Sequence, residues 1–415
     1  MVLTLDDLAV EGRTVGVRVD VNSPTTEDGG LADDARLRAH VDTLSELLDR
    51  GARVAVLAHQ GRPGDDDYHR LSAHADRFDE LLDGPVGYVD ATFGSAARER
   101  IAALDDGEAV LLENTRFYAE EYMEFPPERA ARTHLVEGLV DALDVYVNDA
   151  FAAAHRSQPS LVGFPPRLPA CAGRVMEREL DVLGGVADAP RPLVYAIGGA
   201  KLDDALDVAW HVLERGRADE MLVTGAVGNV FLFADGVDAG TASAEFIEGK
   251  GGWEQVERAR DLLDAHGEKI HLPLDVAVDR NGRTELGINA LPPREGEAAM
   301  DVGNRTVRAF ETVLDRAGTV VLNGPAGVFE DEQFRYGTRE LFDAATRVEH
   351  SVVGGGDTAA AIRALGVEGF SHVSTGGGAA LNLLCGEDLP AVEALEAAAD
   401  RRDSQEAEVD ADRTG

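Results

Sequence analysis

The chain has 415 residues, and its 77 acidic against 39 Lys and Arg residues give a net charge of −38 at pH 7. This length predicts two or three domains, and a 44% share of apolar residues is enough for sizeable cores. Acidic residues along the whole chain argue against nucleic acid as a partner, and the lack of a long uncharged apolar run argues against a membrane span, so we expect a cytoplasmic protein.

Short β-rich runs alternate with amphipathic stretches in the first half of the chain. The runs are residues 14–20, 53–59, 86–90, 109–114 and 144–149. Between the first two, residues 36–51 carry apolar side chains at helical spacing, and Gly51 stands where a helix would end. This alternation predicts βαβ units on a parallel sheet.

A second series of predicted strands begins near residue 190. Its members are residues 192–199, 220–225, 269–278, 319–324, 351–356 and 371–378. Proline and glycine cluster within residues 160–190 and mark a boundary. The fold class is therefore α/β, with two doubly wound parallel-sheet domains of similar size joined by a helix. The expected division is an N-terminal domain 1–170, a connecting helix or hinge 171–190, a C-terminal domain 191–390, and a C-terminal segment 391–415 with an acidic disordered tail.

Polar side chains repeatedly follow the predicted strands of the first domain, where ligands bind in open α/β sheets. They are Asp20, Asn22, Arg36, His59, Arg62, Glu113, Arg116, Asn148, His155 and Arg156. A single arginine in such a place is typical of a solvated surface charge. Four on one edge of so acidic a chain favour a small polyanion, because guanidinium groups fit phosphate and carboxylate.

The second domain is rich in glycine at the corresponding edge. The glycine runs are residues 198–201, 224–229, 323–330, 354–358 and 374–378. Each alone is typical of a tight turn, but five in one domain favour phosphate binding by backbone N–H groups and helix N-termini. Asp357 follows one run and opens a predicted helix, where it could bind Mg²⁺ or act as the N-cap residue.

Seven segments spread over nearly the whole chain resemble the motifs of the phosphoglycerate kinase family, in that family's order. They are RVDVNSP (18–24), AHQGRP (58–63), ENTRF (113–117), GGAK (198–201), NGPAGVFE (323–330), GGGDTAAA (354–361) and HVSTGGGA (372–379). The resemblance implies reversible phosphoryl transfer between 1,3-bisphosphoglycerate and Mg-ADP, giving 3-phosphoglycerate and Mg-ATP in glycolysis and gluconeogenesis. It also implies a monomer whose two domains close on their substrates.

The resemblance also implies site residues. Phosphoglycerate would be bound by Asp20, Asn22, Arg36, His59, Arg62, Arg116 and Arg156. The nucleotide would be bound by Lys201, Asn323, Glu330, Gly354, Gly355, Gly356, Asp357 and Thr358, with Mg²⁺ on Asp357. The transferring phosphoryl would meet Arg36, Lys201, Gly355 and Gly378, and residues 376–378 would supply N–H groups. One departure is Ala205, which stands where many family members carry a second lysine.

Alternatives remain at this stage. The run VTGAVGNV (223–230) suggests a nicotinamide dehydrogenase, although it lacks the full glycine fingerprint. A non-catalytic binding protein on the same fold is the other alternative. Only three basic residues are lysines, Lys201, Lys250 and Lys269. The acidic, lysine-poor composition resembles proteins of halophilic archaea, whereas a GC-rich genome would explain the scarcity of lysine but not the excess of acid.

Overall fold

The computed structural model describes residues 1–26 and 29–414, with side chains in the C-terminal helix described through Ser404. The chain divides into two compact units. Unit 1 comprises residues 1–181 and the chain from residue 388 onward, and unit 2 comprises Val182–Glu387. The division differs from the expected one at the C-terminal end, because the last segment packs with the first unit.

Unit 1 is built on a parallel six-stranded sheet, in the order β3-β4-β2-β1-β5-β6 among the described residues. Its strands are β1 (Thr14–Arg18), β2 (Arg53–Leu57), β3 (Val86–Tyr88), β4 (Ala109–Leu111), β5 (Val145–Asn148) and β6 (Ala170–Ala172). The alternation of strands and helices confirms the parallel sheet, whereas β6 was missed because ACA is too short to show a pattern. The central β1 lies between β2 and β5, so the residues that follow these three strands share one edge.

The helices of unit 1 pack around this sheet. They are α1 (Ala35–Ala39), α2 (Val41–Asp49), α3 (Ser72–Leu81), α4 (Ser95–Ala102), α5 (Pro127–Ala130), α6 (His134–Leu139), α7 (Pro159–Val162) and α8 (Arg174–Gly184), whose last three residues belong to unit 2. The single helix expected over 36–51 is wrong in one respect, because it is interrupted at His40. The buried His40 ring bonds to the backbone of Asp20 and to the carboxylate of Asp149.

Unit 2 contains a second parallel six-stranded sheet among its described residues, in the order β15-β14-β13-β7-β8-β9. Its strands are β7 (Leu193–Ile197), β8 (Glu220–Val223), β9 (Ile270–His271), β13 (Thr319–Asn323), β14 (His350–Gly354) and β15 (His372–Val373). Helices surround it: α9 (Leu202–Glu214), α10 (Gly225–Ala234), α11 (Thr241–Gly249), α12 (Trp253–His266), α13 (Asn304–Leu314), α14 (Tyr336–Ala345), α15 (Gly356–Leu365) and α16 (Gly378–Cys385). The expected α/β class with two parallel-sheet domains is confirmed.

A small antiparallel sheet in unit 2 was not predicted. It has the order β11-β10-β12, formed by β10 (Asp275–Asp279), β11 (Arg283–Gly287) and β12 (Asp301–Val302). The expected strand 269–278 is therefore wrong, because it divides into β9 and β10, which belong to different sheets. Pro273 lies between them and has no backbone N–H to donate to a ladder.

The C-terminal helix α17 (Pro390–Thr414) belongs to unit 1. Ala391, Leu395 and Ala399 are buried along it, and Ala391 donates its N–H to the carbonyl oxygen of Ala154. The backbone is helical to Thr414, in contrast to the disordered acidic tail expected there. Alanine, glutamate and arginine are good helix formers, so the composition of this segment is compatible with helix as well as with disorder.

Candidate active site

A buried basic cluster lies at the carboxyl ends of the unit 1 strands. The guanidinium of Arg18 is fully buried and donates to the Ser160 hydroxyl at 2.9 Å and to His59 Nδ1 at 2.9 Å. His59 must accept that bond, so its Nδ1 carries no proton. Burial, followed by the charges of Arg18 and Arg116, holds the pKa of His59 well below its usual value. His59 is therefore a neutral hydrogen-bonding group near neutral pH.

Arg116 and Arg156 extend this cluster. Arg116 is almost fully buried and donates to the carbonyl oxygen of Gly61 at 2.8 Å, while its Nε has no partner. Burial, with the charges of Arg156 and Arg18, lowers the pKa of Arg116 to about 10. The pKa of Arg156 is also lowered, by burial and by the charge of Arg62. Several cations held together and partly desolvated are an arrangement that an anion would stabilise.

Asp20 connects two other polar residues of this site, Arg36 and Asn22. Its carboxylate forms an ion pair with Arg36 and accepts the N–H of Asn22 at 3.2 Å. The Asn22 side-chain oxygen in turn accepts the N–H of Gly61 at 2.8 Å. The structure therefore brings Arg36 and Asn22 together through Asp20, whereas Arg62 is exposed on the loop after Gly61. In contrast to the buried Arg18 and Arg116, Arg36 keeps 40% of its side chain exposed, so it is accessible to a ligand.

A small cavity of about 90 Å³ in unit 2 collects most of the predicted nucleotide residues. Its lining includes Lys201, Asn323, Gly355, Gly356, Asp357, Thr358 and Gly378. The helices α9, α15 and α16 begin at Leu202, Gly356 and Gly378, so three N-termini lie at this cavity. Unpaired N–H groups and helix dipoles at such ends favour a bound phosphate.

Lys201 and Asp357 face each other in this cavity, with the ammonium 3.0 Å from the carboxylate. Asp357 lies inside the first turn of α15, whose N-cap is Gly355, so the alternative role of Asp357 as an N-cap is wrong. Its carboxylate remains 59% exposed and the Lys201 side chain 64% exposed. Both charged groups are therefore accessible, and each can leave their ion pair to bind a ligand.

The glycines of this cavity are required by its geometry. Gly355 has a φ of +88°, and a side chain there would place its Cβ 2.7 Å from Asn323 Oδ1. A Cβ on Gly198 would meet the carbonyl oxygen of Pro325 and the Thr224 hydroxyl at 2.5 Å. Larger residues at these positions would force the loops apart, so glycine keeps the backbone N–H groups close to the cavity.

A second cavity of about 480 Å³ lies beside the first, and both share Gly199, Ala200 and Asp357. Glu330, one of the residues predicted to bind the nucleotide, lines this larger cavity. Its apolar walls, Phe246, Met300 and Val328, were missed from the sequence. Apolar side chains in helices and loops carry no signal that separates them from core residues.

Some positions of the site differ from the sequence-based prediction. Gly354 ends β14 and is buried, and neither it nor Gly376 lines either cavity. Gly376 instead donates its N–H to the Ser374 hydroxyl at 3.0 Å. Ala205 and Asp204 line the small cavity at the first turn of α9, so the position where many family members carry a second lysine faces this cavity with an alanine. The buried Arg18 was not predicted, since an arginine inside a β-strand is indistinguishable by sequence from an edge residue.

Comparison with known proteins gives a consistent result. The family model for phosphoglycerate kinase matches residues 5–387. The chain belongs to the phosphoglycerate kinase family. The phosphoglycerate kinase of Halobacterium salinarum is 65% identical over 393 residues, covering 94% of this chain and 99% of the relative. That of Natronomonas pharaonis is 61% identical over 398 residues, covering 95% and 100%. The crystal structure of phosphoglycerate kinase from Pyrococcus horikoshii OT3 superimposes with a TM-score of 0.89 at 42% identity, covering 96% of this chain and 99% of that one.

Family membership decides between the alternatives raised by the sequence. The chain is a kinase, a phosphotransferase with a carboxyl group as acceptor. The dehydrogenase hypothesis is wrong, and residues 223–230 instead form the end of β8 and the start of α10, where Gly225 and Ala226 line the larger cavity. The resemblance to halophilic archaeal members is confirmed by the relatives from Halobacterium and Natronomonas. None of the described helices is both long and apolar enough to cross a bilayer.

Proposed function

We propose that unit 1 binds 3-phosphoglycerate or 1,3-bisphosphoglycerate, and that unit 2 binds Mg-ATP or Mg-ADP. The proposed phosphoglycerate ligands are Asp20, Asn22, Arg36, His59, Arg62, Arg116 and Arg156. The proposed nucleotide ligands are Lys201, Asn323, Glu330, Gly354, Gly355, Gly356, Asp357 and Thr358. The observation that carries this proposal is the small cavity, in which three helix N-termini, Lys201 and Asp357 converge beside a larger apolar cavity.

In the direction that consumes ATP, the acceptor oxygen belongs to a carboxylate that is already ionised at neutral pH, so the reaction needs no general base. The low pKa of His59 fits a role in hydrogen bonding rather than proton transfer. The rate enhancement must then come from aligning the two substrates and from neutralising the negative charge of the phosphoryl group while it is transferred. Arg36, Lys201, Gly355 and Gly378 are the residues we assign to that task.

The assignment of Lys201 follows from its position. Its ammonium stands next to the first turn of α15, and the Gly378 N–H opens α16 at the same cavity. A flexible lysine can follow the phosphoryl group between donor and acceptor, and fixed backbone N–H groups can stabilise its oxygens. Since the substrates would bind to different units, transfer requires those units to close and exclude water.

The residues present fit a magnesium ion that is bound mainly through the nucleotide. Mg²⁺ commonly binds through one or two carboxylates plus substrate phosphates, and Asp357 is an exposed carboxylate at the phosphate cavity. Among the described residues no group of three His, Cys, Asp or Glu side chains could hold a metal without the nucleotide. When bound, the ion would neutralise phosphate charge. Asp357 would hold it and would release Lys201 from their ion pair.

We further propose that the enzyme acts as a monomer in a salt-rich cytoplasm. The support is its net charge of −38, its scarcity of lysine, and its identity to relatives from two salt-loving genera. High salt shortens the Debye length to about 3 Å at 1 M, which relieves repulsion among the 77 acidic residues.

Calorimetric titration of two variants tests the division of ligands between the units. Arg116→Lys should weaken 3-phosphoglycerate binding at least about 10-fold, because lysine lacks the planar fork of a guanidinium, and should leave Mg-ADP binding unchanged. Asp357→Asn should do the reverse. Arg129→Lys is a matched control, since Arg129 lies over the Phe125 ring and has no proposed ligand. Equal loss of both affinities in either variant would contradict the assignment.

A further inference from the structure

His40 occupies a position that the proposed reaction does not use directly. It stands at the interruption between α1 and α2, four residues after Arg36, and its ring is buried. Its Nδ1 lies 2.7 Å from Asp149 Oδ2, and its Nε2 lies 3.1 Å from both the N and the O of Asp20. With a proton on Nδ1, the ring donates to Asp149 and accepts the N–H of Asp20. Each ring nitrogen therefore fixes a different part of unit 1.

Asp149 continues this connection to another helix. Its second oxygen, Oδ1, accepts the N–H groups of Val175 at 2.8 Å and Met176 at 3.3 Å, in the first turn of α8. The side chain is fully buried, and a Cβ on Gly173 would come within 2.3 Å of Oδ1. Asp149 has no room to move without disturbing that turn. A carboxylate at a helix N-terminus also stabilises it through the helix dipole.

The first turn of α8 has a separate attachment. The N–H of Arg174 donates to the Thr43 hydroxyl of α2 at 2.9 Å. This bond holds α8 without involving Asp20. It therefore offers a way to separate the anchoring of α8 from the positioning of the Asp20 backbone. A variant at Thr43 changes the anchoring of α8 alone, whereas a variant at His40 changes the backbone that carries Asp20.

Taken together, these contacts form one chain of buried hydrogen bonds. We propose that His40 is a positioning residue, which with Asp149 fixes the backbone of Asp20 relative to α1 and α8. The Asp20 carboxylate is thereby held where it pairs with Arg36 and orients Asn22. His40 itself touches no substrate, and its effect reaches phosphoglycerate through Asp20. The inference rests on the proposed function of the unit 1 site.

Two substitutions separate the ring's contacts, because an asparagine amide nitrogen falls near His Nδ1, where it can donate to Asp149, and a glutamine side-chain amide falls near Nε2, where its oxygen can accept the N–H of Asp20. His40→Asn keeps the bond to Asp149 and loses Asp20, so the KM for 3-phosphoglycerate should rise about 5- to 10-fold, the effect of one lost buried hydrogen bond. The KM for Mg-ATP should stay within about 2-fold, since that site lies in the other unit. His40→Gln keeps the bond to Asp20, and its KM for 3-phosphoglycerate should stay within about 3-fold of wild type.

Thr43→Val is the matched control. It should lower the melting temperature by loosening α8, and it should leave both KM values unchanged. A purely structural role for His40 would make His40→Asn behave like Thr43→Val, and that result would overturn the proposal. If His40→Asn does not fold, His40→Gln is compared with His40→Leu, which keeps neither contact of the ring. A KM for 3-phosphoglycerate that rises in His40→Leu but not in His40→Gln would support the proposal, and equal KM values in the two variants would overturn it.

Failure of this inference is distinguishable from failure of the proposed site. Arg116→Lys, titrated in parallel, reports whether the basic cluster binds 3-phosphoglycerate at all. A normal affinity in Arg116→Lys would contradict the proposed function and with it the role of His40. A damaged Arg116→Lys together with a normal KM in His40→Asn would overturn the role of His40 alone.

Discussion

Replacement of Lys201 by arginine should slow phosphoryl transfer while leaving the fold intact. The Lys201–Asp357 ion pair spans 3.0 Å, but both side chains are more than half exposed. Exposed pairs contribute about 0 to 1 kcal/mol to stability, and arginine can keep the pairing, so the melting temperature should stay within about 3 °C of wild type. Any loss of activity then reports on the reaction and not on folding.

The expected kinetic loss follows from the size of the site. The cavity holds only about 90 Å³, and a side chain on its Gly198 wall would lie 2.5 Å from neighbouring atoms, so these loops cannot spread easily. A guanidinium is broader and more rigid than an ammonium and would not follow the phosphoryl group across this space. We expect turnover to fall at least about 10-fold, which corresponds to about 1.4 kcal/mol of barrier.

The other two lysines provide matched controls. Lys269 donates to the carbonyl oxygen of Ala218, and Lys250 lies over the Phe246 ring, and arginine can make either contact. Lys250→Arg and Lys269→Arg should therefore retain turnover within about 2-fold, in steady-state assays with saturating ATP and 3-phosphoglycerate in molar KCl. If the turnover of Lys201→Arg matched that of these two variants, the argument that residue 201 needs a compact ammonium rather than a guanidinium would be refuted.

Three further predictions address other parts of the account. Arg36→Ala should lower kcat by about 10² or more with a smaller change in substrate affinity, and near-normal turnover in steady-state assays would refute its role at the phosphoryl group. The melting temperature, followed by circular dichroism, should rise steeply from low to multimolar KCl because of the net charge of −38, and a salt-independent value would contradict adaptation to high salt. Burial lowers the pKa of His74 to about 4, so stability from keeping this ring neutral is present above pH 6.5 and is lost as the pH falls toward 4. His74→Gln should reduce that loss by up to about 3 kcal/mol in urea unfolding at pH 4 and pH 7, and an unchanged pH dependence would show that His74 does not contribute.

The sequence predicted those parts of the fold that depend on local periodicity. The valine-rich runs that became β1, β2 and β5 could be read directly, because strands buried on both faces are continuously apolar. The interruption at His40 could not be predicted, since it depends on contacts with Asp20 and Asp149 from distant parts of the chain. The antiparallel sheet was missed for a similar reason, because its pairings join short segments that carry no strong alternation.

Prediction of the candidate site from the sequence was limited in the same way. Glycine runs and exposed charges at strand ends indicated the small cavity, because phosphate binding requires these residue types in these places. Arg18 and the apolar wall around Phe246 were not found, since burial and the direction of a side chain are decided by the tertiary fold. Ala205 was recognised as a departure, and it lines the small cavity, where Lys201 has no second lysine beside it.

The most direct test of the central claim is to identify the product of phosphoryl transfer chemically. The purified enzyme, incubated with Mg-ATP and 3-phosphoglycerate in molar KCl, would be treated with hydroxylamine, which converts an acyl phosphate into a hydroxamate and free phosphate. The account predicts hydroxamate and ADP in equal amounts, dependent on 3-phosphoglycerate and strongly reduced in Arg36→Ala and Lys201→Arg. Release of ADP without hydroxamate, or product formation that both substitutions leave unchanged, would contradict it.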